Sequence, residues 1–367
     1  MIIAEIGTSH EGSYEKAVKL TDAAIESGAD YIKFQWVYAH EILHPDTGFV
    51  KLPTGNIPLY DRFKSLECPV SFYKKIMDYI HSRGKKFICS PFGLQSLVEL
   101  LSLSPDAIKI ASPELNHFPM LKKLREFRST QKNKIPVVLS SGVSKLSDIE
   151  KALDILGTEN ISLLHCITSY PAPEEEYNLR LISTYKEKFG IECGVSDHSL
   201  DPILVPALSV ACGGTIVEKH ITLSRKTAGL DDPVALEPEQ FATMVHVVNN
   251  AAAAYNHYGK DKGFETIISQ ISEQFGKDKV SKVLGDGKKV LAPSEEANYG
   301  RTNRSLHYMK ALSKGHIITE KDIGVLRTEK VLTPGISPEY YEQVLGKELL
   351  CDVTSGAGVQ MDEIGGF

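Results

Sequence analysis

Several short apolar runs in this chain end in residue types that can do chemistry. Ser196-Asp197-His198 closes one run and Glu218-Lys219-His220 closes the next. Side chains alternate along an extended strand, so Glu218 and His220 share a face. Two imidazoles at the ends of neighbouring strands can converge on one ion, and two are an incomplete ligand set. The remaining positions go to water and substrate, the layout of a catalytic rather than a structural metal. A divalent ion held there polarises a carbonyl as a Lewis acid. Asp197 reads as a weak ligand, an outer partner that orients one, or a loop cap.

Cations and hydroxyls make a second set. Lys33 and Gln35 share a face of another run, while Ser90, Lys109, Ser112, Ser140, Ser141, Thr168 and Ser196 stand at or near the ends of others, with Tyr170 just beyond. A lone lysine in such a place is ordinarily a solvated rim residue. Two lysines among serines suit a phosphate or carboxylate, whose oxygens accept charge-assisted hydrogen bonds. An anionic substrate is expected. Glu5 and Glu114 are candidate proton donors or acceptors where burial and nearby lysines tune them.

One scaffold brings such ends together. Apolar runs at 2–7, 31–36, 86–92, 107–112, 137–142, 161–166, 193–198 and 215–222 alternate with stretches of helical periodicity. The first such stretch runs from about Ser13, a plausible N-cap, to Ser27, with Ala17, Leu20 and Ala24 on one face and Gly28 after its end. Strict βα alternation requires crossovers and therefore a parallel sheet. Eight repeats favour closure into an α/β barrel over an open doubly wound sheet. In such a barrel the catalytic groups sit at the C-terminal strand ends, where the polar residues above fall.

The chain has 367 residues, enough for a barrel of about 250 and a smaller domain after it. Residues 1–258 are expected to be the barrel, 259–301 a Lys-, Gly-, Ser- and Glu-rich linker with a helix near 266–275, and 302–367 a small β-rich domain. Within the last, 313–323 and 354–364 echo one another in a glycine turn and a closing acid-Ile pair. A hydrophobic share of 42% with 24% charged residues suits a globular protein, and a net charge of -6 gives no general case for nucleic acid or anionic membranes. Six cysteines without a CxxC pair read as small buried hydrophobes in a reducing compartment. Neither a signal peptide nor a membrane span is visible, so the expected location is cytoplasmic.

Taken in order along the chain, these motifs resemble the sialic acid synthase family, which includes the legionaminate and pseudaminate synthases. The resemblance covers nearly the whole chain. It rests on Ile2-Ile3-Ala4-Glu5-Ile6-Gly7 with His10, Lys33-Phe34-Gln35, Lys109-Ile110-Ala111-Ser112-Pro113-Glu114, His165-Cys166 and Tyr170-Pro171-Ala172-Pro173. It continues through Gly194-Val195-Ser196-Asp197-His198-Ser199-Leu200 and Glu218-Lys219-His220-Ile221-Thr222. The tail resembles that family's antifreeze-like (SAF, β-clip) domain through its glycine turns, Gly335-Ile336-Ser337-Pro338 and Leu345-Gly346-Lys347. Three places depart from the family pattern: the stretch Thr328 to Thr333, Leu230-Asp231-Asp232, and the segment His40 to Leu66.

The resemblance implies an (β/α)8 TIM barrel with a SAF domain. It implies condensation of phosphoenolpyruvate with an N-acylated amino sugar aldehyde such as N-acetylmannosamine, giving a nine-carbon nonulosonic acid with phosphate released by C–O cleavage. It puts manganese or magnesium on His198 and His220, and phosphoenolpyruvate on Lys33, Ser90, Lys109, Ser112, Thr168 and Ser196. It sets Glu5, Gln35, Tyr170 and Asp231 against the sugar or the metal-bound water, with Glu114 moving protons. Arg327 would arrive from the SAF domain of the partner subunit in a domain-swapped homodimer. Two other classes compete: a pyruvate aldolase with Lys33 or Lys109 as Schiff-base nucleophile, and a non-catalytic carbohydrate-binding protein.

Overall fold

The structure is a computed structural model describing residues 1–52, 55–227 and 229–366. Eight parallel strands close into a barrel: β1 (Ile2–Gly7), β2 (Tyr31–Trp36), β3 (Lys86–Pro91), β4 (Ala107–Ile110), β5 (Val137–Ser140), β6 (Ile161–Cys166), β7 (Glu192–Asp197) and β8 (Ile216–His220). β1 pairs with both β2 and β8, which completes the ring. All eight expected runs are strands of this barrel. Five of them stop earlier than expected, because the residues past Pro91, Ile110, Ser140, Asp197 and His220 turn into the loops that build the site.

The interior of the barrel is sorted by height. Ile3, Ile88, Ala107, Val138, Leu164 and Ile216 form an apolar plug at its N-terminal end. Two residues further along the same strands, and hence on the same face, stand Glu5, Ser90, Lys109, Ser140, Cys166 and Glu218. The opposite faces of the strands, with Ile32, Phe34, Leu139 and Val195 among them, pack on the helical layer. Burial of this second surface is what stabilises the barrel, since each fully buried aliphatic or aromatic side chain contributes about 1.5–3 kcal/mol.

The first crossover helix, Tyr14–Glu26, is capped as its sequence suggests, with Ser13 Oγ accepting from the Lys16 N–H. The barrel's last helix is Pro238–Tyr258. The segment expected as a linker holds two more helices, Lys260–Phe275 and Lys277–Leu284. Ile267, Ile271, Val280, Val283 and Leu284 join the core around the barrel, so the polar composition marks the solvent face of a packed layer. Glycines 259, 276 and 285, each with positive φ, end the three helices.

The tail domain has a separate core of Leu306, Tyr308, Leu312, Ile318, Ile323, Val344, Leu349, Val353, Val359 and Ile364. Its two-stranded antiparallel sheet joins β9 (Arg304–Tyr308) to β10 (Ile323–Arg327). Leu312 and Val353, which precede the two echoing segments, pair with each other. Cys68, Cys89, Cys166, Cys193 and Cys212 are buried free thiols as expected, whereas Cys351 is exposed. No helix among the described residues is long and apolar enough to cross a membrane.

Candidate active site

The C-terminal mouth of the barrel opens into a cavity of about 320 Å³. Its lining includes Lys33, Gln35, Lys109, Ser112, Ser140, Thr168, Tyr170, Ser196, His198, His220, Asp231 and Arg327. Among the residues selected from sequence, Glu5, Ser90 and Glu114 lie behind this lining, buried against it.

A chain of charges crosses the floor. Lys33 Nζ pairs with Glu5 Oε2 at 2.7 Å and with Glu218 Oε1 at 3.3 Å. The same Glu218 oxygen lies 3.4 Å from Lys109 Nζ and accepts from Ser196 Oγ at 2.9 Å. Lys109 Nζ also donates to Ser140 Oγ at 2.5 Å, and Gln35 Nε2 donates to Glu5 Oε1 at 2.7 Å. Gly7 makes room for this, since a Cβ there would lie 3.1 Å from Glu5 Oε1 and 3.3 Å from Gln35 Nε2 in a backbone of φ 58°.

Burial opposes every one of these charges, and the outcomes differ with the partners. Burial raises the Glu5 carboxyl above its ordinary value, and Lys33 only partly offsets this. For Glu218, burial is outweighed by Lys109 and Lys33, which bring it down to about 2. Lys33 is raised because Glu218 and Glu5 overcome its burial. Lys109 is lowered, because burial outweighs Glu218. The hydroxyls of Ser90 and Thr168 and the second oxygen of Glu218 are buried without a hydrogen-bond partner among the described residues.

The imidazoles of His198 and His220 lie side by side with ring centroids 5.6 Å apart. His198 Nδ1 is 2.7 Å from the Ile167 carbonyl, which makes that nitrogen the donor and Nε2 the acceptor of the ring. Tyr170 stacks on His198, its hydroxyl 3.3 Å from Nε2. Burial, then the neighbouring His198 and Lys33, push His220 well below the ordinary histidine range. Asp231 Oδ2 is 4.0 Å from His220 Nδ1, and burial raises its carboxyl. Among the described residues no group of three or more His, Cys, Asp or Glu is placed to hold a metal.

Asp197, expected near the ion, points out of the barrel. It accepts from Lys219 Nζ at 2.5 Å, from Tyr177 Oη at 2.8 Å and from the Ser199 N–H at 2.8 Å. The alternation that brings Ser196 and His198 inward turns Asp197 outward. It acts on the site through Tyr177, whose hydroxyl accepts from the His198 N–H at 2.7 Å.

The tail domain closes the roof. Arg327 at the end of β10 and Arg304 at the start of β9 are cross-strand partners and both reach Glu114 Oε1, at 2.6 and 2.9 Å. Arg304 is buried and donates also to the carbonyls of Glu41, Ile42, Phe92 and Val325; burial lowers its pKa to about 10. Arg327 enters the cavity of its own chain. The divergent segment after it supplies Glu329 and Lys330 to the cavity wall. Phe63, Leu66 and Leu230, from the other two divergent segments, are also in the wall; Pro53 and Thr54 lie outside the described residues.

Sequence reasoning gave no role to Arg304 or Glu218. Glu218 shared a recognised face with His220, and that signal was available. Arg304 had none, since its partner lies 190 residues away.

A family model described as the NeuB family matches residues 20–260, and one described as the SAF domain matches 303–365. The chain is similar to the N,N'-diacetyllegionaminic acid synthase of Campylobacter jejuni, with 30% identity over 95% of each chain. It is also 30% identical to a pseudaminic acid synthase of that species, over 97% of this chain and 94% of the other. Among solved structures, the spore coat polysaccharide biosynthesis protein SpsE of Bacillus subtilis superposes with a TM-score of 0.78 at 29% identity, covering 99% of this chain and 94% of that one.

Proposed function

The chain belongs to the NeuB family of nonulosonic acid synthases, and from that premise we propose that it condenses phosphoenolpyruvate with an N-acylated amino sugar aldehyde of the N-acetylmannosamine type. The observation that carries this reading is the barrel floor: two buried lysines, set among hydroxyls of which two lack partners, beside an open pair of imidazoles. Lys33, Lys109, Ser112, Thr168 and Ser196 receive the phosphate and carboxylate of phosphoenolpyruvate, with Ser90 behind them.

His198 and His220 would hold the divalent ion, manganese or magnesium. Their fit rests on the two imidazoles lying together in the cavity lining, ring centroids 5.6 Å apart, and on the Ile167 carbonyl holding His198 Nδ1, which leaves Nε2 as the nitrogen that would pass from the Tyr170 hydroxyl to the ion. When bound, the ion supplies Lewis-acid polarisation of the aldehyde. The methylene carbon of phosphoenolpyruvate attacks that carbon, water adds to the resulting cationic centre, and phosphate leaves with its bridging oxygen. Glu5 and Asp231, raised by burial, are suited to hold protons near the sugar. Glu114 commits Oε1 to Arg304 and Arg327; Oε2, without a partner among the described residues, is the atom left for proton transfer. An exchange of tail domains in a homodimer would make the Arg327 contact across subunits.

The test is phosphate release from phosphoenolpyruvate against a panel of acylamino sugars, with and without chelator. Release that needs both sugar and metal is expected; its absence across the panel sinks the reading. The aldolase alternative draws on one observation, the lowered pKa of Lys109. Borohydride trapping with pyruvate decides it, since a covalent adduct on Lys109 would replace the metal mechanism.

A further inference from the structure

The segment that leads from the helical layer to the tail domain crosses the mouth of the barrel, and Asn298 and Thr302 from it line the cavity. Within it Glu295 is 1% exposed. Its Oε1 accepts from the backbone N–H of Val143 and from that of Thr168, both at 2.6 Å. Val143 lies just past β5 and Thr168 just past β6, so one carboxylate oxygen ties together the ends of two neighbouring strands.

The backbone held in this way is strained. Val143 is β-branched and has a φ of 45°, in the left-handed region that such residues avoid. It is gripped from both sides, because its carbonyl accepts from Asn303 Nδ2 at 2.9 Å. The residue before it, Gly142, donates its N–H to Ser112 Oγ at 3.0 Å. A Cβ on Gly142 would fall 2.2 Å from Thr168 Oγ1 and 2.8 Å from Ser112 Oγ. Two of the hydroxyls assigned to the anion thus converge on the turn that Glu295 holds.

We propose that Glu295 is a positioning residue of the anion subsite, setting the mutual placement of the Ser112 and Thr168 hydroxyls through the main chain of Val143 and Thr168. The proposal rests on the reading of that subsite as the phosphoenolpyruvate site. A carboxylate near an anion repels it, so the charge of Glu295 is not what the site uses. Its acceptor oxygen is. A glutamine keeps an oxygen with two lone pairs at this position and drops the charge.

Steady-state kinetics on the full chain test this with Glu295→Ala, Glu295→Gln and a control at the exposed neighbour, Glu296→Ala. Glu295→Ala is expected to raise the KM for phosphoenolpyruvate about tenfold or more while the KM for the sugar stays within about twofold. Glu295→Gln restores the wild-type KM to within about threefold, and Glu296→Ala matches wild type. A folded Glu295→Ala protein with an unchanged phosphoenolpyruvate KM, or with both KM values raised alike, overturns the proposal. If Glu295→Ala does not fold, hydrogen exchange decides in the other two forms. Slow exchange of the Val143 and Thr168 amides in wild type and in Glu295→Gln supports it, and rapid exchange in wild type overturns it. A wild-type protein that releases no phosphate would instead sink the functional reading. Calorimetric binding of inorganic phosphate to wild type and Glu295→Ala then decides the positioning role, with equal affinity as the overturning result.

Discussion

Two buried ionic clusters lie on opposite faces of neighbouring strands, and they are built to opposite standards. On the outer face, Lys219 Nζ donates to Asp197 Oδ2, to the Ser199 carbonyl and to Ser199 Oγ, while Asp197 Oδ1 takes Tyr177 and the Ser199 N–H. Each charge is matched and each carboxylate oxygen is used. On the inner face, Lys33 and Lys109 share a single oxygen of Glu218, and Glu218 Oε2, Ser90 Oγ and Thr168 Oγ1 are left without partners among the described residues. Buried polar groups are ordinarily satisfied. The outer cluster therefore holds the barrel wall and His198 in place, whereas the inner one keeps the Ser90 and Thr168 hydroxyls unpaired beside two lysines, as the proposed anion site requires.

The largest expected effect divides the two directly. Lys109→Met should lower kcat/KM for phosphoenolpyruvate by about 10³-fold or more, equivalent to about 4 kcal/mol, while the denaturant midpoint stays near wild type because Glu218 keeps Lys33. A collapse of the fold instead would erase the distinction. Lys219→Met is expected to do the reverse, removing about 3–5 kcal/mol of stability because Asp197 is left charged and buried. Urea unfolding checks it, and a variant as stable as wild type would break the comparison from the outer side.

Arg327→Ala should cost about 10²-fold in kcat/KM with little loss of stability, since it removes one charged donor aimed at the site. Arg304→Ala, which vacates contacts to Glu114 and four carbonyls, should also lower the unfolding midpoint. Equal midpoints in the two variants would show that the roof is not divided in this way. The smallest effect is in pH. Anion binding uses protonated Lys109, so it is complete below that group's pKa and weakens as pH rises through it. Burial has lowered that pKa, so the phosphoenolpyruvate KM should climb at a pH below that at which an ordinary lysine titrates, with Lys33 still charged. Lys109→Met should flatten the rise, and an unaltered alkaline limb would assign it elsewhere.

Much of this was legible in the chain itself. The spacing of apolar runs gave eight strands, and period-two alternation put Lys33 with Gln35 and Glu218 with His220 on shared faces, as found. The same rule applied to Ser196-Asp197-His198 turns Asp197 away from the imidazoles, so its outward pairing with Lys219 was readable as well. The helices Lys260–Phe275 and Lys277–Leu284 were harder, because a polar solvent face and glycine caps resemble a linker when the apolar stripe is narrow.

What the sequence determined is what local geometry carries: the strand count, the parallel order, the inward or outward sense of each side chain, and the glycine turns of the tail. What only the tertiary structure decided are relations across long separations. Glu114 meets Arg304 and Arg327, Glu295 reaches the ends of β5 and β6, and one oxygen of Glu218 serves two lysines from different strands. No periodicity encodes such meetings, because they depend on how closed layers place distant backbones. The pKa of each buried group then follows from those neighbours, which is why two lysines of similar setting in the sequence, Lys33 and Lys109, are shifted in opposite directions.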